Sequence, residues 1–310
     1  MPDKGKCLVV TGPTASGKSS LVMRIAEELN GEIVCMDSMQ IYRGMDIGTA
    51  KPTPEDRRRV PHHMLDIADP DEAFSVAMWC ERAEAEIRSI LSRQRLPVIV
   101  GGTGLYLRAL RHPMALGYSV SSPDIRGEME RLAETEEGKR TLHRRLAERD
   151  PRAAEKLHVN NVRRVIRALE VMEMTGKRFS EQAADSRPSP FDFVCFCLSM
   201  DRQVLYGRID RRVHQMVEQG LVQEVKNLMA SGVPGDAQSM QGIGYKEIIR
   251  HLKGEMSLDD SIREIQQNTR HYAKRQMTWF RREEEMHWLD AGSPDLAEQV
   301  LTQLKNGESL

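Results

Sequence analysis

The sequence of 310 residues has no long hydrophobic run, and aromatic residues make up only 5% of it. A membrane-spanning helix needs about 18 or more consecutive apolar residues, so we expect no membrane span. An apolar run of only four residues follows Lys4 and Lys6, which predicts no signal peptide. With 40% hydrophobic and 29% charged residues, the composition is typical of a soluble globular protein, and we expect it in the cytoplasm.

Cysteine is also scarce, and the five cysteines are an odd number. Three of them lie in apolar, strand-like runs, which indicates buried free thiols in a reducing compartment. Cys195 and Cys197 have no second Cys or His pair at zinc-binding spacing, so we do not expect zinc there. His62 and His63 have no evident metal partners either, and we expect them at the surface or in the core.

A strong excess of either charge is missing too, because the formal net charge is −1. The average conceals an asymmetry. Acidic residues dominate 124–137, whereas 139–177 and 270–282 are strongly basic. A protein that binds RNA through local basic patches can be neutral overall, so the charge balance does not exclude an RNA partner.

A phosphate-binding P-loop is the most specific motif present. It follows an apolar run at 7–10 and precedes a predicted helix at 20–29, the order that such a loop requires. Backbone N–H groups of the loop and the positive end of the helix attract a polyphosphate, Lys18 adds a mobile charge, and the Ser19 hydroxyl is the usual Mg²⁺ ligand. The alternative is a glycine turn with an incidental Lys-Ser pair. The residues expected to bind phosphate are Gly12, Pro13, Thr14, Ala15, Ser16, Gly17, Lys18 and Ser19.

Asp37 follows a second predicted strand at 32–36. In an open α/β sheet, ligands bind at the carboxyl ends of the strands. If this strand and the one at 7–10 are neighbours, Asp37 lies beside the P-loop, which makes it the leading candidate for a catalytic base. The alternatives are a helix cap or a carboxylate near the Mg²⁺ ion. The polar stretch at 41–52 is predicted to contact substrate or to be a plain connector.

The next predicted buried strand ends at Gly101 and Gly102, where an ATPase usually carries its Walker B aspartate. Asp66, in a plausible strand at 63–67, is only a weak substitute. Thr103 begins the following predicted helix. We therefore expect its hydroxyl to face the same phosphates as the P-loop.

The alternation of strands and helices stops between about 116 and 190, and a strand at 193–198 resumes it. The fold class we expect is α/β, a P-loop NTPase-like parallel sheet flanked by helices, with an all-helical insertion domain. We predict a discontinuous catalytic core, 1–115 plus 192–310, and an insertion domain at 116–191. Helices within the insertion are predicted at 124–136, 141–149, 151–157 and 161–175.

Two predicted helices carry basic faces that fit a nucleic-acid backbone. In the helix at 161–175, Arg163, Arg164 and Arg167 lie together opposite the apolar side, without acids between them. We favour phosphate contact for this face, with a merely solvated face as the alternative. A last long helix at 257–282 carries four cations spaced over nearly three turns, namely Arg263, Arg270, Lys274 and Arg281.

A further pair of arginines fits the P-loop. Arg208 and Arg212 are four residues apart and share one face of a helix predicted at 203–218. From there they can stabilise negative charge on a departing phosphate. The alternative is that they form salt bridges with Asp210 or Glu218.

Several of these segments resemble the bacterial tRNA dimethylallyltransferases, also called tRNA isopentenyltransferases. The similarity runs in register from the P-loop to near Trp288, and the sequence departs from the family pattern at 111–120. The segments are GPTASGKS (12–19), DSMQIYRGMDIGTAKP (37–52), GGTGLY (101–106), RRVIRALEV (163–171), GIGYKE (242–247) and AKRQMTWFRR (273–282).

The resemblance implies transfer of a dimethylallyl group from dimethylallyl diphosphate to N6 of the adenosine just 3′ of a tRNA anticodon, with Mg²⁺ present and diphosphate released. It makes Asp37 the base that takes the proton of the exocyclic amine. It gives stabilisation of the departing diphosphate to Lys18, Thr103 and Arg212, with Arg208 and the P-loop binding it. Because the loop then holds an allylic diphosphate instead of ATP, no Walker B acid is needed.

The resemblance also implies that the anticodon stem-loop of tRNA binds four segments of the chain, and we expect the turn at 241–246 to expose an aromatic side chain and a cation together. The implied tRNA contacts are Asp37, Ser38, Met39, Gln40, Arg163, Arg164, Arg167, Gln241, Gly244, Tyr245, Lys246, Lys274, Arg275, Gln276, Trp279 and Arg281. We expect a monomer. The alternative functions are a P-loop small-molecule or nucleotide kinase and a non-catalytic RNA-binding NTPase switch.

Overall fold

The computed structural model describes residues 4–112, 122–182 and 188–306. The chain divides into two compact units. The first comprises Met1–Phe74, Trp79–Leu107 and Pro190–Leu310, and the second comprises Ser75–Met78 and Arg108–Ser189. The predicted edge of the insertion at 115 and 116 lies outside the described residues, so the predicted domain limits stay a prediction.

The described residues form one six-stranded sheet and fourteen α-helices. The strands are β1 (Gly5–Thr11), β2 (Gly31–Met36), β3 (His62–His63), β4 (Leu96–Gly101), β5 (Phe191–Ser199) and β6 (Met286–Asp290). The helices are α1 (Lys18–Glu28), α2 (Pro54–Arg59), α3 (Val76–Ser92), α4 (Gly104–Arg111), α5 (Pro123–Leu132), α6 (Glu136–Arg149), α7 (Pro151–Lys156), α8 (Val162–Thr175), α9 (Phe179–Gln182), α10 (Arg202–Glu218), α11 (Leu221–Ala230), α12 (Tyr245–Leu252), α13 (Leu258–Phe280) and α14 (Leu296–Asn306).

The sheet is parallel throughout and has the strand order β3-β2-β4-β1-β5-β6. The first two strands are therefore not direct neighbours, so the condition set for placing Asp37 beside the P-loop is not met in that form. β4 lies between them, and its residue Ile99 stands opposite Val9 of β1 on one side and Val34 of β2 on the other. Because all strands are parallel, Asp37 and the P-loop still lie at the same side of the sheet, at the carboxyl ends of β2 and β1.

The predicted strand at 63–67 is also wrong in its limits, because β3 contains only His62 and His63. Met64 and Asp66 have φ angles of 66° and 56°, and an L-residue with a positive φ cannot continue a strand. The strand therefore ends at His63, which pairs with Val34.

The central strands are buried on both faces, as a parallel sheet covered by helices requires. Leu8, Val9 and Val10 of β1 are fully buried, and α1 packs against β2, β4 and α14. All five cysteines are free, and four of them are buried as predicted, whereas Cys80 is partly exposed. Burial raises the pKa of the Cys7 thiol to about 12, so this thiol stays protonated and unreactive near neutral pH.

The described part of the second unit is helical between α4 and β5. Asp150 caps α7 by accepting the N–H of Ala153 at 3.1 Å. The helix predicted at 124–136 ends earlier than expected, because α5 stops at Leu132. Thr135 accepts the N–H of Gly138 at 3.0 Å and caps the start of α6. The buried apolar core of this unit consists of Met129, Ala133, Leu142, Leu146, Ala153, Ala154, Leu157, Val165, Ile166, Ala168, Leu169 and Met172.

Candidate active site

The P-loop between β1 and α1 has the shape of an anion cradle. Gly12 and Gly17 have φ angles of 140° and 96°, and a Cβ on Gly12 would lie 2.8 Å from the carbonyl oxygen of Leu198. Only glycine satisfies both the conformation and this close approach. Ser16 Oγ is buried and has no hydrogen-bond partner among the described residues, so one polar atom of the loop is available to a ligand.

Lys18 supplies the positive charge of the loop. Its Nζ donates to the carbonyl oxygens of Gly12 at 3.0 Å and Pro13 at 2.7 Å. Burial and the charge of Arg212 lower the pKa of Lys18 to about 8, and the charge of Asp37 opposes this shift. Burial also lowers the pKa of Arg212, again opposed by Asp37. Mutual effects of this kind place the three charged groups in one site, although they are far apart in sequence.

The Asp37 carboxylate is held in a defined orientation at the end of β2. Its Oδ1 accepts the backbone N–H groups of Met39 at 2.8 Å and Gln40 at 3.3 Å, the pattern of an Asx turn. Oδ2 accepts no hydrogen bond from the described residues. The neighbouring N–H of Ser38 donates to Thr103 Oγ1 at 3.3 Å, which joins the end of β2 to the turn after β4.

The two α10 arginines lie beside the P-loop. Arg212 Nη1 is 3.5 Å from Thr14 Oγ1, and Arg208 Nη1 is 3.7 Å from the position of a Cβ on Gly17. Asp210, which sequence reasoning offered as their partner, instead forms a bidentate salt bridge with Arg270 at 2.6 and 2.7 Å. The geometry therefore favours the phosphate-facing interpretation of Arg208 and Arg212.

The end of β4 has no space for a Walker B carboxylate. A Cβ on Gly101 would lie 1.8 Å from the carbonyl oxygen of Met36, and one on Gly102 would lie 2.0 Å from Gln276 Nε2. Asp66, the weak substitute, is paired with Lys51 Nζ at 2.6 Å and with an Arg57 nitrogen at 2.7 Å. Asp66 is therefore engaged in salt bridges with two cations and is not free to serve as a Walker B acid.

The loop at 41–52 is anchored by two residues that sequence reasoning missed. Glu224 accepts the backbone N–H groups of Asp46, Ile47 and Gly48 at 2.9, 2.7 and 3.0 Å. The buried Lys51 Nζ donates to the carbonyl oxygen of Tyr42 at 2.8 Å and pairs with Asp46 and Asp66 at 2.7 and 2.6 Å. Asp46, Ile47 and Lys51 of this loop line a cavity of about 820 Å³ that reaches Arg212.

Residues 40–283 match the family described as IPP transferase. The tRNA dimethylallyltransferase of Pelotomaculum thermopropionicum is 48% identical over 287 residues, which cover 92% of this chain and 91% of that protein. The tRNA dimethylallyltransferase of Halalkalibacterium halodurans is 47% identical over 300 residues, or 96% and 95% of the two chains. The chain belongs to the IPP transferase family.

Solved structures of IPP transferases agree with the fold. The full-length tRNA isopentenylpyrophosphate transferase of Bacillus halodurans is 44% identical, with a TM-score of 0.72 over 97% of each chain. A eukaryotic dimethylallyltransferase acting on tRNA is 30% identical, with a TM-score of 0.84 over 97% of this chain and 79% of that one. The predicted α/β fold class is confirmed, and the kinase alternative has no support in these relatives.

Two of the expected tRNA contacts of this IPP transferase are buried. Tyr245 is only 1% exposed, so the expectation of an exposed aromatic at this turn is wrong; its hydroxyl donates to Glu224 at 2.7 Å. Gln276 is 5% exposed and bonds to the P-loop instead of facing solvent. Lys246 is partly exposed but lies 3.6 Å from the Glu247 carboxylate, and Gln241 Nε2 donates to a loop carbonyl at 2.9 Å.

The basic faces of the IPP transferase are smaller than the sequence predicts. On α13, Arg270 pairs with Asp210, and Arg263 pairs with Asp260 at 2.5 Å, so two of the four cations are already compensated. Lys274 lies on the wall of a hollow of about 490 Å³. The residues around this hollow are His271, Lys274, Arg275, Thr278, Trp279 and Arg282.

On α8 the expectation that no acid lies among the arginines is wrong. Glu170 is buried, and its Oε2 accepts from Arg167 and from Arg126 of α5, each at 2.7 Å. Arg163 and Arg164 are exposed. Neither forms a salt bridge with another described residue. The accessible positive charge of α8 is therefore concentrated on Arg163 and Arg164.

This IPP transferase offers no ready-made metal cluster in the part of the chain that the structure describes. No group of three or more His, Cys, Asp or Glu side chains there could hold a metal ion. None of the helices in the described ranges combines the length and the apolar content that crossing a bilayer demands.

Proposed function

We propose that this chain transfers a dimethylallyl group from dimethylallyl diphosphate to N6 of the adenosine just 3′ of a tRNA anticodon and releases diphosphate. The observation that carries this proposal is the convergence of Lys18, Arg212 and Asp37 at a P-loop whose neighbouring strand excludes a Walker B acid. The names of the relatives, tRNA dimethylallyltransferases, support the same reaction.

Asp37 acts as the general base in this proposal. An exocyclic adenine amine is a weak nucleophile, because its lone pair is delocalised, so its proton must leave as the C–N bond forms. The adenosine reaches Asp37 after leaving its stack, at a cost of a few kcal/mol. Met39 and Gln40 hold Oδ1, and Oδ2 takes the proton. A positioned general base is worth roughly 10²–10⁴ in rate.

The departing diphosphate is stabilised by the loop, by Lys18 and by Arg212, with Thr103 and Arg208 at its sides. The carbonyl oxygens that now accept from Lys18 lie in the loop itself, so the ammonium moves to the diphosphate when it binds. Positive groups aimed at the charge that develops on a leaving group are worth about 3 kcal/mol each in a dry site. A bound diphosphate also favours the charged form of Lys18.

Magnesium is part of the proposal, and the donors present fit it. Mg²⁺ binds few protein oxygens and is usually held by substrate phosphates and water. The Ser19 hydroxyl at the start of α1 and the unpartnered Ser16 Oγ are hard oxygen donors of this kind. When bound, the ion would neutralise part of the diphosphate charge.

We also propose that tRNA binds through the exposed cations of each unit. In the first unit these are Lys274, Arg275 and Arg281 of the α13 region together with the partly exposed Lys246, and in the second they are Arg163 and Arg164. Trp279 lines the same hollow as Lys274. Phosphate contacts of Lys and Arg position RNA without reading its sequence. We expect the chain to act as a monomer in the cytoplasm.

The test is a transfer assay with unmodified tRNA and radiolabelled dimethylallyl diphosphate, read by mass spectrometry of the digested tRNA. Wild-type chain should label one adenosine, and Asp37→Asn should lower the single-turnover rate by about 10²–10⁴ with tRNA affinity unchanged. Labelled ATP serves as the comparison. Phosphate transfer from ATP without any prenylated adenosine would contradict the proposal.

A further inference from the structure

Gln276 lies on the side of α13 that faces away from solvent. Its neighbours Lys274 and Arg275 are exposed, whereas Gln276 is only 5% exposed. A buried polar side chain must find partners, since leaving it unpaired costs the desolvation of its amide. Gln276 bonds to Tyr272 one turn earlier on α13, and its two other partners belong to the catalytic site.

Both ends of the Gln276 amide are used. Oε1 accepts the backbone N–H of Thr14 at 2.8 Å, and Nε2 donates to the carbonyl oxygen of Gly102 at 3.0 Å. A Cβ on Gly102 would lie 2.0 Å from Nε2, so the glycine is what permits the approach. Because one end accepts and the other donates, neither a carboxylate nor an apolar side chain can make both contacts.

The two backbone groups belong to the two halves of the site. Thr14 is in the P-loop, and its hydroxyl lies 3.5 Å from Arg212. Gly102 immediately precedes Thr103, whose hydroxyl accepts the N–H of Ser38 beside Asp37. Gln276 therefore spans from the diphosphate cradle to the strand end that carries the base.

We propose that Gln276 is a positioning residue that locks the P-loop to the Gly102–Thr103 turn. It sets the distance between the bound diphosphate and Asp37, and it takes the Thr14 N–H, so the anion is held by the remaining loop amides. It contacts no RNA itself. This inference rests on the proposed transferase function and deepens it, because it separates the buried side of α13 from the exposed side that binds tRNA.

The test compares Gln276→Met, which keeps the length but makes neither hydrogen bond, with Gln276→Glu, which can still accept from Thr14. The affinity of the chain alone for inorganic diphosphate is measured by calorimetry, and the affinity for tRNA by filter binding. The kcat and the KM for dimethylallyl diphosphate are measured at saturating tRNA. We expect diphosphate affinity and kcat each to fall about tenfold in Gln276→Met, because two buried backbone groups lose their partner. Gln276→Glu should fall further, because a carboxylate faces both a carbonyl oxygen and the anion.

The affinity for tRNA should stay within about twofold of wild type in both variants, because the proposed role leaves the exposed side of α13 intact. Lys274→Ala is the matched contrast on the exposed side, and it should weaken tRNA binding while leaving diphosphate affinity unchanged. Weaker tRNA binding by the Gln276 variants at wild-type diphosphate affinity would show a direct RNA contact and overturn the proposal. Wild-type values of diphosphate affinity, tRNA affinity and kcat in the Gln276 variants would also overturn the proposal.

Circular dichroism shows whether each Gln276 variant is folded. If one variant is unfolded, the other tests the proposal. Diphosphate binding is measured without tRNA or a prenyl donor, so it tests Gln276 even if the wild-type chain transfers no dimethylallyl group. Failure of the transferase function would instead appear in the wild-type chain itself.

Discussion

The Tyr245 hydroxyl donates a hydrogen bond of 2.7 Å to the Glu224 carboxylate. Burial raises the pKa of Tyr245, with the charge of Glu224 as the next cause, so the phenol stays a donor. A Cβ on Gly48 would lie 2.6 Å from the Tyr245 ring. The loop that follows Asp37 is thus held by α11 and α12 from one side.

Glu224→Gln should loosen this loop. The carboxylate accepts three backbone N–H groups and the Tyr245 hydroxyl, whereas a Gln amide would turn its NH₂ group toward donors. We expect a loss of about 1–3 kcal/mol in the free energy of unfolding and a fall in kcat, measured by urea denaturation and single-turnover transfer.

The control for this change is Gln223→Ala, one position away on α11. Gln223 is exposed and bonds only to Asn227 among the described residues, so its loss should change stability by less than about 0.5 kcal/mol. If Glu224→Gln were as stable and as active as Gln223→Ala, the loop would not depend on the carboxylate.

Lys18 should make diphosphate binding sensitive to alkaline pH. Burial and Arg212 lower its pKa from 10.5 to about 8, so in the free chain the ammonium loses its proton as pH rises through about 8, and affinity for inorganic diphosphate should fall there. The effect on folding has the opposite sign. Between about pH 8 and 10.5 the unfolded chain binds more protons at this lysine, so this group's contribution to stability rises with pH.

Calorimetry with inorganic diphosphate on both sides of the Lys18 pKa of about 8 checks this prediction. Lys18→Met is the control, since any pH dependence that it retains belongs to the ligand or to other groups. An identical pH profile in wild type and Lys18→Met would show that Lys18 does not titrate in this range.

The α8 surface should carry part of the salt-dependent tRNA affinity. Charge reversal of Arg163 and Arg164 should weaken binding and reduce the slope of log K against log salt by roughly 0.7–0.9 for each phosphate that is no longer neutralised. Arg152→Glu on α7 is the control, because it changes the same charge at an exposed position of the same unit. An unchanged slope in the double variant would make the α8 face a merely solvated one.

Arg167 should behave differently from its two neighbours. Its reversal would place two carboxylates together, since Glu170 is buried and pairs with Arg167 at 2.7 Å. Burial raises and the two arginines lower the pKa of Glu170, with a net decrease, so this carboxylate is ionised and would repel the new charge. We expect Arg167→Glu to lower the melting temperature of the chain, whereas reversal of Arg163 should not.

The local features of the site could be predicted from the sequence, whereas its long-range contacts could not. The P-loop and Asp37 are encoded by short patterns, a glycine loop between a strand and a helix and an acid at a strand end. The strand order is not encoded locally, so the sequence left open whether β1 and β2 are neighbours, and β4 lies between them. Gln276 and Glu224 bond to groups 262 and up to 178 residues away, and no periodicity in their own helices reports those partners.

Gly102→Ala should test how much the strand end depends on close approach. The new methyl group would lie 2.0 Å from Gln276 Nε2, so the side chain must move and its bond to the Gly102 carbonyl must break. We expect lower kcat together with a decrease of about 1–3 kcal/mol in the free energy of unfolding. Gly207→Ala on α10 is the control, because a Cβ there meets nothing within 4 Å and alanine favours a helix by about 0.5–1 kcal/mol. Equal stability and activity of the two variants would mean that the β4 end tolerates a side chain, and the steric reason for the missing Walker B acid would no longer hold.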